Sequence, residues 1–230
     1  MINTNLISCL SYINSNSKPA TRPSETAVRR AVTISRMAGC GAVFVAEQLA
    51  IYLEEHAPTP GRKWTVFDRQ LMSKVLEDHH MPLYLAKLLS EDRTSFIQDT
   101  LADIFNVHPT ADKMVKIIAE TILQLAEIGS VIIVGRGANI VTARMPHVLH
   151  VRLVASLEDR IERVCHEYNK SPEEARSFCL KEDPARTRYI KTYFKTDIND
   201  PVNYHLVINT SWLDYENAAR MIGEAVLRLP

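Results

Sequence analysis

Short runs of apolar and β-branched residues alternate along this chain with longer segments of helical periodicity. Five such runs predict β-strands, at 31–35, 63–67, 130–134, 147–154 and 204–208. Most of them are continuously apolar, which is typical of strands that are buried on both faces of a parallel sheet. The pattern therefore predicts an α/β fold with a doubly wound, five-stranded parallel sheet.

Helical patterns fill the intervals between these strands. Segment 111–128 has apolar residues at three- and four-residue spacing that would form one helix face, namely Met114, Ile118, Ile122 and Leu125. Ser156 and Ser171 each stand three residues before an acidic residue, which is the signature of a helix N-cap. Segment 213–225 predicts a last helix that packs on the sheet.

The chain is predicted to form one domain with a tail. Residues 1–27 are rich in Asn and Ser and predict a flexible N-terminal tail. Residues 28–230 predict a single domain, within which segment 82–106 is a mainly helical insertion between the second and third strands.

Composition narrows the classes of protein. The 230 residues include 27 Lys and Arg against 27 Asp and Glu, and this neutrality argues against a nucleic-acid partner. No apolar run approaches the roughly 20 residues that a membrane helix needs. The four cysteines and the eight histidines show no metal-ligand spacing, so we predict no metal-binding residues and a cytoplasmic protein with reduced thiols.

The turn after the first strand, residues 35–42, carries Gly39 and Gly41 before a predicted helix. Backbone N–H groups in such a turn, together with the helix N-terminus, favour a bound phosphate. A tight turn without a ligand explains the glycines equally well. The full phosphate-loop signature is absent, because Ala42 and Val43 stand where its Lys and its hydroxyl residue would be.

Two further segments carry basic residues suited to anions. Gly135-Arg136-Gly137 follows the third strand, and a guanidinium there can bind a phosphate or a carboxylate in bidentate fashion. A dinucleotide fingerprint is rejected because Ile140 replaces its third glycine. Segment 181–195 is strongly basic, and is either a solvated helix face or a mobile cover that brings arginines onto a transferred phosphate.

In this order, these features resemble the cytidylate-kinase-like family of nucleoside monophosphate kinases, a branch of the P-loop kinases. The resemblance spans about Val32 to Leu229. Its matching points are Ile34-Ser35-Arg36 with Gly39 and Gly41, Phe67-Asp68, 131–138, Arg160 with Arg163, Asp183 with Arg186 and Tyr189, and 204–211.

The resemblance implies ATP as phosphoryl donor, Mg²⁺, and a small nucleotide, CMP or dCMP, as acceptor. It implies that donor phosphates contact the loop residues Gly39, Cys40, Gly41 and Ala42, with Arg160 and Asn209 on the donor side. Acceptor-side residues would be Asp68, Arg136 and Asp183, the last of which orients a lid formed by 171–197. The catalytic arginines would be Arg36, Arg136, Arg186 and Arg188.

Departures from the family pattern leave two other functions open. Ala42 and Val43 remove charged and hydroxyl groups from the loop, which would suit a binding module that has lost catalysis. Gly137 replaces the Asp that ordinarily follows the acceptor-site arginine, which would suit a kinase for another small acceptor. Cys40 is either a small residue in a Ser position or, as a second hypothesis, a thiol with a lowered pKa at a helix N-terminus.

Overall fold

The computed structural model describes residues 29–59, 62–68, 89, 91–106 and 113–230. Its strands are β1 (Ala31–Arg36), β2 (Thr65–Phe67), β3 (Val131–Val134), β4 (Val148–Val154) and β5 (Leu206–Asn209). Its helices are α1 (Ala42–His56), α2 (Glu91–Asn106), α3 (Lys113–Ile128), α4 (Ala138–Val141), α5 (Leu157–Tyr168), α6 (Pro172–Phe194) and α7 (Tyr215–Leu227), with a 3-10 turn at Pro201–Asn203.

The five strands form one parallel sheet in the order β2-β3-β1-β4-β5. Ile34 of β1 lies in register with Val134 of β3 and with Val151 of β4. The carboxyl ends of the three central strands therefore meet at one edge of the sheet, where ligands bind in such folds. The predicted fold class is confirmed.

Helices bury the two faces of the sheet in separate clusters. On one face, α1 and α7 pack on the sheet through Val45, Leu49, Leu53, Ala218, Ile222 and Val226. On the other face lie α3 and the end of α6, through Ile118, Ile122, Leu125, Ile190 and Phe194. This second cluster fixes α6 against the edge of the sheet at which β1 and β3 end.

The predicted helix starts are confirmed. The Ser156 side chain caps α5 by accepting from the Asp159 N–H, and Ser171 forms a full capping box with Glu174 at the start of α6. The predicted face of α3 is wrong at Met114, which is 47% exposed because it lies in the first turn of the helix. None of the helices in the described part of the chain is long and apolar enough to span a membrane.

Parts of the predicted organisation lie outside the described residues. These are the tail 1–27 and, from the insertion 82–106, residues 82–88 and 90. The rest of that insertion is mainly α2, which packs on α3 between β2 and β3 in the chain order.

One face of the sheet carries a buried polar stripe where β1 and β4 pair. Thr33 stands opposite His150, and Ser35 stands opposite Arg152. The Thr33 Oγ1 lies 2.9 Å from His150 Nδ1, and Arg152 Nη1 donates to the Ser35 Oγ at 2.9 Å. The stripe leads along the sheet to the carboxyl ends of the strands.

His150 is only 6% exposed and its ring stacks on that of His205, with 4.9 Å between ring centroids. Burial, with a smaller contribution from His205, lowers the pKa of His150 to about 4 from its usual 6.5. The folded state therefore favours neutral His150, whereas the unfolded chain protonates it below about pH 6.5. Stability linked to His150 is present at neutral pH and is lost as the pH falls towards 4.

We predict that His150→Gln flattens the pH dependence of stability. Between about pH 7.5 and pH 5, the native chain should lose about 2 kcal/mol more free energy of unfolding than this variant. Urea unfolding at both pH values measures the difference. The exposed His166, changed to Gln, is the control and should behave as the native chain does. Equal pH dependence in His150→Gln and native protein would contradict a buried neutral His150.

Candidate active site

The turn between β1 and α1 presents backbone N–H groups at the carboxyl edge of the sheet. Gly39 and Gly41 adopt φ angles of 77° and 69°, in the left-handed region that favours glycine. Gly41 is the N-cap of α1, and no side chain caps that helix. An uncapped helix N-terminus next to such a turn fits an anion such as a phosphate.

Close packing also requires these two glycines. A Cβ atom on Gly41 would lie 2.1 Å from the Tyr215 ring, and one on Gly39 would lie 2.7 Å from the Arg160 carbonyl oxygen. The Tyr215 ring, which is stacked with that of Phe44, thus lies against the turn. The glycine turn is held between the starts of α5 and α7.

Asp183 of α6 connects the glycine turn to α5. Its Oδ1 accepts from the Ala38 N–H at 2.7 Å, and its Oδ2 pairs with Arg160 Nη1 at 2.5 Å. Arg160 also donates to the Ala38 carbonyl oxygen at 3.2 Å. Cys179 of α6 contacts the same carbonyl oxygen through its thiol. These contacts fix α6 directly over the turn.

The turn after β3 places Arg136 between two glycines, all with left-handed backbone. The φ angles of Gly135, Arg136 and Gly137 are 90°, 58° and 73°. A Cβ on Gly135 would lie 1.8 Å from Arg36 Nη1, so only glycine at 135 leaves room for the Arg36 guanidinium there. A non-glycine residue with positive φ costs about 1 kcal/mol or more and is common at functional sites.

Three of the predicted arginines surround one cavity of about 260 Å³ at this edge of the sheet. They are Arg36 from β1, Arg136 from the turn after β3, and Arg186 from α6. Arg186 Nη1 donates to the Arg36 carbonyl oxygen at 3.2 Å, and Glu182 pairs with the Arg186 guanidinium at 3.5 Å. Residues from three separate elements of the chain thus bring three guanidinium groups to one concave site, which suits an anionic ligand.

Other predicted site residues lie away from this cavity. Arg188 is exposed on a neighbouring side of α6, and the side chain of Asn209 accepts from the Ser211 N–H at the end of β5. Asp68 follows β2 and does not line the cavity, but its charge contributes to the raised pKa of Tyr168, whose largest cause is burial. Arg160 is 6% exposed and bonds within the protein, so its side chain supports the turn.

The hypothesis that Cys40 is an activated thiol is wrong. Cys40 is 1% exposed, and burial raises the pKa of its thiol to about 11 against the opposing effect of Arg160 and Arg163. A thiol with this pKa stays protonated at neutral pH and is a poor nucleophile. Its side chain packs in the cluster of α1, so whatever Cys40 offers a ligand comes from its backbone.

Sequence reasoning assigned no role to several residues that line the cavity. Ser35, Asn139 and Tyr189 are neutral polar residues there, and Tyr189 Oη is buried without a hydrogen-bond partner among the described residues. Ser35 could have been found, since a polar residue in a buried strand at the carboxyl end is unusual. Tyr189 belongs to the matched Asp183-Arg186 motif, where its spacing of one turn beyond Arg186 was the available signal.

The described residues suit a phosphate better than a metal ion. No three His, Cys, Asp or Glu side chains come together among them as metal ligands would. Both oxygens of Asp183 already have partners, and Val43 has no hydroxyl to offer Mg²⁺.

A comparison with protein families shows to which family this chain belongs. The model of the cytidylate kinase-like family matches residues 31–212, which is well over half of the chain. The chain belongs to the cytidylate kinase-like family. This membership confirms the predicted resemblance and the P-loop kinase type of fold, and it supports a kinase-type function on a nucleotide or another small molecule.

Solved structures and one curated protein resemble this cytidylate kinase-like chain more distantly. An uncharacterized protein from Eubacterium ventriosum is 19% identical with a TM-score of 0.65, covering 86% of this chain and 98% of that one, and it shows the fold alone. Shikimate kinase from Bacteroides thetaiotaomicron is 14% identical over the same shares, and its TM-score of 0.47 is too low to support an argument. A uronate isomerase from Corynebacterium glutamicum is 29% identical over 116 residues, 50% of this chain but only 22% of that protein.

We predict that Asp183→Asn destabilises this cytidylate kinase-like protein by about 2 kcal/mol, because it leaves the buried Arg160 charge without a counter-charge. The native side chains of Arg160 and Asp183 are 7% and 24% exposed. Asp103→Asn is the matched control, since the ion pair of Asp103 with Arg144 is exposed and should change stability by less than about 0.5 kcal/mol. Chemical denaturation measures the free energy of unfolding of both variants. Equal losses would show that the ion pair of Asp183 contributes no more to stability than an exposed pair does.

Proposed function

We propose that this protein transfers the γ-phosphoryl group of ATP to a nucleoside monophosphate, with CMP and dCMP as the leading acceptors. The observation that supports this most directly is the single cavity lined by Arg36, Arg136 and Arg186, next to a glycine turn that fits a phosphate. Phosphoryl transfer needs mainly positioning and charge stabilisation, which guanidinium and backbone N–H groups supply.

In this proposal each element has a defined task. The backbone of Gly39, Cys40, Gly41 and Ala42 and the N-terminus of α1 hold the donor phosphates. Arg136 holds the acceptor phosphate from the opposite side of the cavity. Arg36 and Arg186, whose contact joins β1 to α6, stabilise negative charge on the group in transfer.

The helix α6 is proposed to act as the lid, within segment 171–197. It covers the turn through Asp183, and its residues Ala175 and Cys179 pack against Ala38. A covering helix of this kind excludes water, which strengthens charge interactions below it and prevents transfer of the phosphoryl group to water. Mg²⁺ used with ATP would be held by phosphate oxygens and water.

Recognition of the acceptor base differs from the usual family pattern. At Gly137 a Cβ atom would lie 2.7 Å from the Phe194 ring and 3.2 Å from Ile190, so the Asp of ordinary relatives does not fit this arrangement. The neutral groups available in the cavity are instead Asn139 and Tyr189. An amide offers both a donor and an acceptor, as the edge of a pyrimidine does.

Two observations favour other functions. Ala42 and Val43 leave the turn without a charged group of its own, which favours a binding module that has lost catalysis. The exclusion of an Asp at Gly137 favours a kinase for another small acceptor. Both alternatives use the same cavity, so they differ in turnover and in substrate.

An assay of ADP release with ATP and Mg²⁺, screened across ribo- and deoxyribonucleoside monophosphates, tests the proposal. We expect turnover that depends on the acceptor, greatest with CMP or dCMP. Arg136→Ala should lower kcat/KM by about 100-fold or more, because it removes a charged contact to a phosphate. Arg220→Ala changes an exposed arginine of α7 and should leave turnover within about twofold of the native value.

The outcomes separate the three functions. Turnover with none of the nucleotides by the folded protein would contradict the proposal, and nucleotide binding without turnover would assign a binding module. Turnover with another small acceptor, lost in Arg136→Ala, would assign a different kinase. Turnover that Arg136→Ala retains would show that the reaction occurs outside the cavity.

A further inference from the structure

A second cavity, of about 400 Å³, lies on an adjacent side of α6 and shares Arg36 and Arg186 with the first. It is lined by four arginines, Arg36, Arg152, Arg186 and Arg188, and among the described residues of its wall only Asp183 is acidic. Both oxygens of that carboxylate are already bonded, to the Ala38 N–H and to Arg160. Positive charge therefore dominates this cavity.

The helical repeat of α6 separates the two cavities. Its residues that line the first are Glu182, Ala185, Arg186, Tyr189 and Ile190, at three- and four-residue spacing. Those that line the second are Asp183, Pro184, Arg186, Thr187 and Arg188, on the adjacent side. Arg186 stands at the boundary, and Arg136 contributes to the first cavity alone.

Arg152 is a buried residue of the second cavity whose side chain is held in place by its neighbours. The residue is only 5% exposed, and it extends from near the carboxyl end of the paired region of β1 and β4. Its guanidinium donates to the Ser35 Oγ at 2.9 Å and to the Asn199 Oδ1 at 2.8 Å, and it lies over the Tyr204 ring at 5.7 Å. The Tyr204 hydroxyl in turn bonds the Ile198 carbonyl oxygen at 2.8 Å. The guanidinium is thus held in place from two sides.

All of these partners of Arg152 are neutral. Within the described residues it forms no ion pair with a carboxylate. Arg160, which among the described arginines is buried to a similar degree, is neutralised by Asp183. A buried charge without a counter-charge is costly for folding, and an anionic ligand that supplied the opposite charge would offset that cost.

We propose that this second cavity is an oxyanion subsite that binds a phosphate group against Arg152. The ligand group is a tetrahedral phosphate dianion, which is either free inorganic phosphate or the phosphate of an organic molecule. The fixed guanidinium of Arg152 and the side chain of Arg188, at the mouth of the cavity, would bind it. The subsite shares Arg36 and Arg186 with the first cavity, but Arg152 and Arg188 belong to it alone, and neither Arg136 nor the glycines of the turn line it.

Phosphate binding, measured by calorimetry at constant ionic strength, tests the subsite. An Arg136→Gln parent weakens the first cavity, and Arg152→Gln or Arg220→Gln is then added to that parent. We expect the parent to bind inorganic phosphate, the added Arg152→Gln to weaken binding by about tenfold or more, and the added Arg220→Gln to change it less than about twofold. Circular dichroism confirms that each variant is folded.

A second variant keeps the test decisive if Arg152→Gln fails to fold. Arg188 is exposed at the mouth of the cavity, and Arg188→Gln in the same parent should weaken phosphate binding by about three- to fivefold. Phosphate binding that neither Arg152→Gln nor Arg188→Gln weakens would overturn the subsite, as would a parent that binds no phosphate at millimolar concentration.

The same titration with ribose 5-phosphate distinguishes the sources of the phosphate group. Tighter binding of ribose 5-phosphate than of inorganic phosphate, still dependent on Arg152, supports the subsite and assigns it to an organic phosphate. Equal or weaker binding with the same dependence supports the subsite and assigns it to inorganic phosphate. Because none of these titrations involves turnover, their result stands whether or not the kinase assay succeeds.

Discussion

The geometry at the carboxyl ends of the strands depends on the contacts of the Asp183 carboxylate. This carboxylate joins the Ala38 N–H of the glycine turn to Arg160 of α5, and it belongs to α6. The glycine turn and the consecutive helices α5 and α6 thereby meet at one anion. Because Arg160 is buried, loss of Asp183 would leave its charge uncompensated. Charge as well as apolar packing therefore holds α6 against the turn.

The two cavities follow from this connection. With α6 fixed over the turn, Arg186 donates to the Arg36 carbonyl oxygen, and the Arg36 guanidinium lies against Gly135. The same placement leaves a space between α6 and the polar stripe, into which Arg152 projects its guanidinium. The arginines that line the two cavities concentrate positive charge in a chain whose formal net charge is zero.

The sheet and the convergence of arginines could be predicted because they depend on local pattern and on one topological rule. Continuous apolar runs mark buried strands, and the ends of parallel strands meet, so Arg36 and Arg136 could be placed together. The bond of Asp183 to Arg160 could not be derived in the same way, because it depends on the angle at which α6 crosses the turn. Cys40 shows the limit most clearly, since its neighbouring charges suggested a low pKa and its burial, visible only in three dimensions, reverses the direction.

The role of Arg152 could not be predicted from the sequence for a related reason. A single arginine in an apolar strand gives no signal of its partners, and the alternation of Thr33 and Ser35 in β1 acquires meaning only through the register with β4. The sequence therefore predicts which strand ends carry chemistry, whereas the depth of each charge and its neutralisation depend on tertiary packing.

We propose above that Arg36, Arg136 and Arg186 form one site for the phosphate of a small molecule. A crystal structure of the protein with CMP tests it most directly. We expect the phosphate of CMP to lie within hydrogen-bond distance of at least two of the three guanidinium groups, with α6 still bonded to Ala38 through Asp183. Electron density for CMP outside this cavity, or guanidinium groups that face away from one another, would contradict the account.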